Sequence, residues 1–166
     1  MISAHTWVLL INDNNLKQLD DQLQCLAPQV GLDEEVKRRF REDLDEVVRG
    51  ISVTEQLFTR GDFNGHTGTI SGSCDDVHGS FDFGVRNDGG TSLLDFTETF
   101  DLVITNSSFQ KKEDHLVTFQ STAAKIQIIY LLFRKHDRGL CSDCTVIPSE
   151  NLTTYHWLLV MDLEIK

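Results

Sequence analysis

From residue 102 onward the chain breaks into short apolar or β-branched runs separated by polar turns: Leu102-Val103-Ile104, Leu116-Val117-Thr118-Phe119, Ile126 to Phe133, Thr145-Val146-Ile147 and Leu158 to Ile165. Runs this short and this apolar predict strands of a buried sheet. Helices upstream can cover it. After Ala27-Pro28, residues Leu32, Val36, Phe40, Leu44, Val47 and Val48 recur at three- and four-residue steps, with Asp33-Glu34-Glu35 in the first turn and Gly50 at the exit. That pattern predicts an amphipathic helix whose charged face (Lys37, Arg38, Arg41, Glu42, Asp45) is solvated. Ser92 followed by Asp95 resembles a capping box, opening a short helix with Leu93, Phe96 and Phe100 on its apolar side. Helices over a buried sheet predict a layered α/β (α+β) domain.

Between these helices, Gln56 to Arg60 reads as a short strand ending at Gly61-Asp62-Phe63-Asn64-Gly65-His66. Eight of the 11 glycines then fall between Gly61 and Gly90, which predicts a long loop, and loops of that length inside a domain tend to carry function. Residues 1–25 have only a weak pattern and read as a loosely attached lead-in to a domain over 26–166.

Charge narrows the function classes. The net charge of −11 is concentrated upstream, with 8 Lys/Arg against 19 Asp/Glu in residues 1–108 and 7 against 7 in residues 109–166. Such a balance argues against tight nonspecific nucleic-acid binding, though it leaves room for weak contact with nucleic acid or for a metal-dependent nuclease whose carboxylates an ion compensates. The basic residues Lys111, Lys112, Lys125, Arg134, Lys135 and Arg138 read as solvated loop charges, and Phe58, Phe63, Phe96, Phe100, Phe119 and Phe133 as core. No apolar run approaches the roughly 20 residues of a membrane span, and Trp7 to Ile11 is too short and unflanked for a signal peptide, so the expectation is a soluble intracellular protein with no membrane contact. Four cysteines are too few for a disulfide framework; Cys141-Ser142-Asp143-Cys144 lacks two further zinc ligands at matching spacing and reads as a polar turn.

Two places can carry chemistry. Asp62 and Asn64 stand two residues apart at a strand end, so both can face one side and hold a hydrated metal or orient a water. Ordinary turn chemistry uses the same residues. An EF-hand is excluded, because His66, Thr67 and Ser73 occupy the fifth, sixth and twelfth loop positions. His156, before the apolar run Leu158 to Ile165, sets an imidazole at the mouth of a buried strand. Asp75-Asp76, Asp82 and Asn87-Asp88 could gather a cation only weakly from a flexible loop.

The ordered set Ala27-Pro28-Gln29-Val30-Gly31, Gly61-Asp62-Phe63-Asn64-Gly65-His66, Leu94-Asp95-Phe96, Asn106-Ser107, Thr118-Phe119, Gln127-Ile128-Ile129-Tyr130-Leu131 and His156-Trp157-Leu158-Leu159-Val160 resembles the motifs of the endonuclease/exonuclease/phosphatase (DNase I-like) superfamily. The likeness is to its plant craniofacial-development-protein-2-like and LINE retrotransposon endonuclease branch. It runs from about residue 26 to the end. The resemblance implies a partial four-layer α/β sandwich without the family's N-terminal strands, and a relation to metal-dependent phosphodiester hydrolases. It further implies catalytic roles for Asp62, Asn64 and His156, substrate contacts from Asn106, Thr118 and His66, and Mg²⁺ or Mn²⁺ at Asp62 if the domain is active.

The sequence also departs from that pattern. Leu26 stands where the family has tyrosine, Ile129 where it has the aspartate of the Ile-Asp-Tyr strand, and Tyr155 where it has the aspartate before the terminal histidine. The family's first metal-ligating glutamate has no counterpart. The expectation is therefore a degenerate, retroelement-derived nuclease-like domain without turnover. A weakly active Mg²⁺-dependent nuclease or phosphatase, and a non-enzymatic module whose uncovered sheet surface takes a protein partner, stay open beside it.

Overall fold

The computed structural model describes residues 7–12, 15–18, 33–63, 65–68, 79, 81–151 and 156–164. Helix α1 spans Glu34–Gly50, opened by the Asp33 carboxylate, which accepts from the Glu35 amide at 3.3 Å, and favoured by Glu34 and Glu35 in its first turn. It buries Leu44 and Val48, with Phe40 and Val47 partly covered, whereas Val36 is left exposed. Helix α2 spans Asp88–Thr99. Its cap is Asn87, whose side-chain oxygen accepts from the Gly90 amide at 2.8 Å, and not Ser92, which lies inside the helix. Glycine is costly in a first turn, but a Cβ on Gly90 would collide with the His66 carbonyl, so the residue is set by close backbone approach.

Strands β1 (Trp7–Asn12), β2 (Asn15–Gln18), β3 (Gln56–Asp62), β4 (Leu102–Ile104) and β7 (Ile129–Arg134) form a sheet in the order β2-β1-β3-β7-β4. Every neighbouring pair is antiparallel, which makes the domain α+β. Residues 7–12 and 15–18 thus add two strands that periodicity did not predict. Two hairpins complete the architecture: β5 (Phe119–Gln120) with β6 (Lys125–Ile126), and β8 (Cys141–Asn151) with β9 (Trp157–Leu163).

Strand β7 is buried at all six positions because it is covered on both sides. Tyr130 and Leu132 pack with Leu57, Leu94, Leu102 and Ile104 beneath the helices. Ile129, Leu131 and Phe133 face the other way, packing with Phe58, Val103, Val146 and Leu159 beneath the β8–β9 hairpin. The Phe58 and Phe133 rings meet edge to face at 4.4 Å. Helices, central sheet and hairpin make three layers among the described residues.

Several expectations are corrected. The run Ile126 to Phe133 is divided between two sheets. Its Ile128 and Ile129 amides donate to the Thr118 hydroxyl at 2.9 and 3.1 Å instead of to a neighbouring strand, and the chain crosses between layers there. Cys141 and Cys144 lie in β8, not in a polar turn. A register shift between Cys141 and Asp143 turns both thiols inward, and burial pushes Cys141 up to about 11 and Cys144 higher still, which leaves both unreactive. Arg134 is buried, donating to the carbonyls of Ile51 and Ser52 at 3.2 and 3.4 Å. Lys111 is half-buried and pairs with Asp143 at 2.7 Å, whereas Lys125 is solvent-exposed as expected, beside Asp114 at 3.2 Å.

Leu132 is fully buried, so Leu132→Ala is expected to cost about 2–5 kcal/mol by urea denaturation. Val53, 72% exposed, should be replaceable by alanine within about 0.5 kcal/mol. Equal midpoints for the two variants would contradict a β7 enclosed on both faces.

Candidate functional site

Strand alternation decides which side chains of β3 share a surface. Leu57 lies under the helices and Phe58 under the β8–β9 hairpin, so Arg60 and Asp62 follow Phe58 onto the face between the two β layers. Asp62 is the last strand residue, is 7% exposed and sits opposite Ile129. The next amide, Phe63, donates to the Ile128 carbonyl at 2.9 Å, carrying the pairing with the β7 segment one step past the strand end. Asn64 lies outside the described residues, as do Leu26, Tyr155, Asp75 and Asp76.

His156 reaches the same end of the sheet through Thr118. The Thr118 hydroxyl accepts the Ile128 and Ile129 amides, and its carbonyl accepts the Trp157 amide at 3.0 Å. Phe119 and His156 then form an antiparallel bridge, with their rings edge to face at 5.3 Å. A continuous path of pairings and hydrogen bonds, one step of it through the Thr118 hydroxyl, therefore runs from Asp62 across Ile129 and Thr118 to His156. The imidazole is held below its ordinary value of 6.5, by burial first and by the positive charge of Arg60 second.

Arg60 is the residue that the sequence reading passed over. Its Nε is sealed from water and has no acceptor, and burial lowers its pKa. The signal was present in the sequence: an arginine inside an apolar strand, two positions before Asp62 and therefore on the same side.

The other predicted residues serve the framework. Asn106 is buried, donating to the Ile129 carbonyl at 3.1 Å and accepting the Leu131 amide at 3.0 Å, so its side chain stands in for a strand partner beside β7. The His66 amide donates to the Asn87 side chain at 2.9 Å and its carbonyl accepts the Asn87 amide at 3.1 Å, which pins the loop after β3 to the start of α2. Asp82 is not a loop carboxylate open to solvent. It is 3% exposed and accepts the Thr67 hydroxyl, beneath a Tyr130 phenol that donates to the Gln127 carbonyl at 3.0 Å. Burial raises that phenol's pKa, and the charges of Asp82 and Asp62 raise it further. Among the described residues, no three His, Cys, Asp or Glu side chains gather as a metal cluster.

Thr118→Val keeps the shape of the side chain but leaves the Ile128 and Ile129 amides without their acceptor. A loss of about 2–5 kcal/mol is expected, with Thr118→Ser restoring most of it; a valine variant as stable as the parent would remove Thr118 from its central place. The depressed pKa of His156 has a definite sign. An unfolded chain binds the imidazole proton more readily, so this contribution is complete above about pH 6.5 and is lost as pH falls from there through the folded pKa. Denaturation between pH 5 and 8 should show that slope, and His156→Gln should flatten it; an unchanged slope would contradict the burial of the ring.

The chain is similar to Craniofacial development protein 2 of Tragulus javanicus and of Bos taurus, at 30% identity over 146 residues in each case. The alignments cover 87% of this chain but 25% and 24% of the relatives, so the chain spans about a quarter of the length of the curated proteins it matches. No family model matches the chain. No solved structure matches it. No helix among the described residues is long and apolar enough to cross a membrane.

Proposed function

We propose that this chain is a nuclease-like domain of the DNase I-like endonuclease/exonuclease/phosphatase family, of LINE-type retroelement origin, that keeps the architecture of a phosphodiesterase site without hydrolytic turnover. Three facts support the reading: the order of its motifs, its similarity to Craniofacial development protein 2, and the path of pairings and hydrogen bonds joining Asp62 to His156. The observation that carries it is the pairing of Asp62 with Ile129. In the family pattern that strand position holds a carboxylate that orients the histidine; here it is an apolar side chain packed into the core beneath the hairpin.

Mg²⁺ or Mn²⁺ is the cofactor that family chemistry implies. The residues present do not fit it. Asp62 shares its face of β3 with the guanidinium of Arg60 and lies opposite Ile129, and a fixed positive charge beside the one carboxylate of the path opposes a divalent cation. Removal of an orienting or charge-stabilising group costs about 10²–10⁴ in rate, and although such losses do not simply add within one catalytic unit, several together leave little turnover. What the chain's own residues can still do is bind and position: Asp62 and Arg60 share one face of β3, and His156 stands at the same end of the sheet.

The purified chain, incubated with Mg²⁺ or Mn²⁺ and supercoiled plasmid, is expected to nick no faster than an Asp62→Ala variant. Metal-dependent nicking that the substitution abolishes would overturn the loss of turnover.

A further inference from the structure

We propose that the outer edge of β9 binds an extended segment of another protein, one in which basic and apolar residues alternate, as an added strand. The proposal stands apart from the nuclease-like reading and rests on the β8–β9 hairpin alone. In a strand the N–H and C=O of one residue point to the same side, and successive residues alternate sides. The Trp157 amide donates to the Thr118 carbonyl, away from β8, whereas the Asp162 carbonyl accepts the Ser142 hydroxyl at 3.3 Å, on the β8 side. Leu159 and Met161 therefore turn their amides and carbonyls outward, as Trp157 does. Thr118 and Phe119 occupy that edge only at His156 and Trp157, and no strand among the described residues lies along it beyond them.

The opposite edge of the hairpin is closed. On β8 the Val146 carbonyl accepts from His115 Nδ1 at 2.9 Å, the Cys144 amide donates to the Asp143 carboxylate at 2.8 Å, and a register shift interrupts the strand between Cys141 and Asp143. Covering side chains, irregularities of this kind, lysine and proline are the means by which folded chains keep an edge from pairing. On its outer side β9 has none of them. Trp157–Leu163 is apolar but for Asp162, and Val160 is 38% exposed.

Charge decides the occupant. Asp162 stands directly opposite Asp143, and like charges so placed destabilise a sheet. Lys111 pairs with Asp143 at 2.7 Å, whereas the exposed Asp162 has no cation partner among the described residues. A lysine or arginine on an added strand would stand beside Asp162, with a second near the exposed Glu164. Leu159, Met161 and Leu163 point to the other face, where Met161 and Leu163 are only partly buried against the core, so the intervening residues of the added strand must be apolar. A second copy of this chain fits less well, because it brings the same acids to the same face and sets a net charge of −11 against an equal one.

The test uses the whole chain, labelled with nitrogen-15, and a peptide capped at both ends, Thr-Val-Lys-Val-Lys-Val-Thr, followed by calorimetry and NMR. The expected result is saturable binding in which the Leu159 and Met161 amides shift and gain protection from hydrogen exchange, while the Leu158 and Val160 amides, which face β8, keep theirs. The peptide with glutamate for lysine should bind at least about tenfold more weakly, and a fully N-methylated peptide should not bind. Asp162→Asn should weaken the lysine peptide about two- to fivefold. Met161→Pro, which takes away an outward donor and leaves the bonds to β8 in place, should abolish binding; should that variant not fold, the N-methylated peptide decides. The proposal is overturned by a lysine peptide that does not bind, by glutamate or N-methylated peptides that bind as well, or by Leu159 and Met161 amides protected before any peptide is added. Self-association of the chain through β9 as concentration rises overturns it too, since the occupant is then a second copy.

Discussion

The structure depends on where the backbone of β7 goes at its first residues. A strand buried on both faces cannot leave its amides without partners, and at Ile128 and Ile129 no neighbouring strand supplies them. One hydroxyl, that of Thr118, accepts both. Its own carbonyl then accepts Trp157, so a single residue joins the central sheet to the start of β9. Asn106 does the parallel work two residues on, binding the Ile129 carbonyl and the Leu131 amide. These side chains take the place of missing strand contacts.

The placement of Asp62, Arg60 and His156 follows. Register sets Asp62 opposite Ile129, alternation sets Arg60 beside it, and the Phe119 bridge sets His156 at the same end. A surface built for chemistry on phosphate would place carboxylates here to gather a cation. In this chain one strand position that could serve is isoleucine, and the charged neighbour of Asp62 on its own face is a guanidinium.

Much of the fold was legible because periodicity reports burial. The helix at 34–50, the strand before Asp62 and the runs at 102–104 and 157–163 are recovered almost as the apolar pattern draws them. Three things were not legible. The N-terminal strands β1 and β2 are fixed in the sheet by the pairing of β1 with β3, a nonlocal contact that no window of sequence contains, and β2 adds to the outer side of β1. The cysteines of β8 needed the register shift to be seen as buried, since three-residue spacing in a regular strand puts side chains on opposite faces. The division of the run from Ile126 to Phe133 turns on a hydroxyl from elsewhere in the chain. Motif order singles out Asp62, Asn64 and His156 as catalytic and Asn106, Thr118 and His66 as substrate contacts; the structure sets Asp62 and His156 at one end of the sheet and gives the polar atoms of Asn106 and Thr118 hydrogen bonds within the framework.

The central claim is that Thr118 and Phe119 bring His156 to the strand end occupied by Asp62. Nuclear Overhauser contacts in the isotope-labelled chain test it most directly. The structure predicts cross-strand contacts between the Phe119 and His156 backbone protons and between their rings, which lie 5.3 Å apart. A well-folded chain in which His156 shows contacts only to its own strand, and none to Phe119, would contradict it.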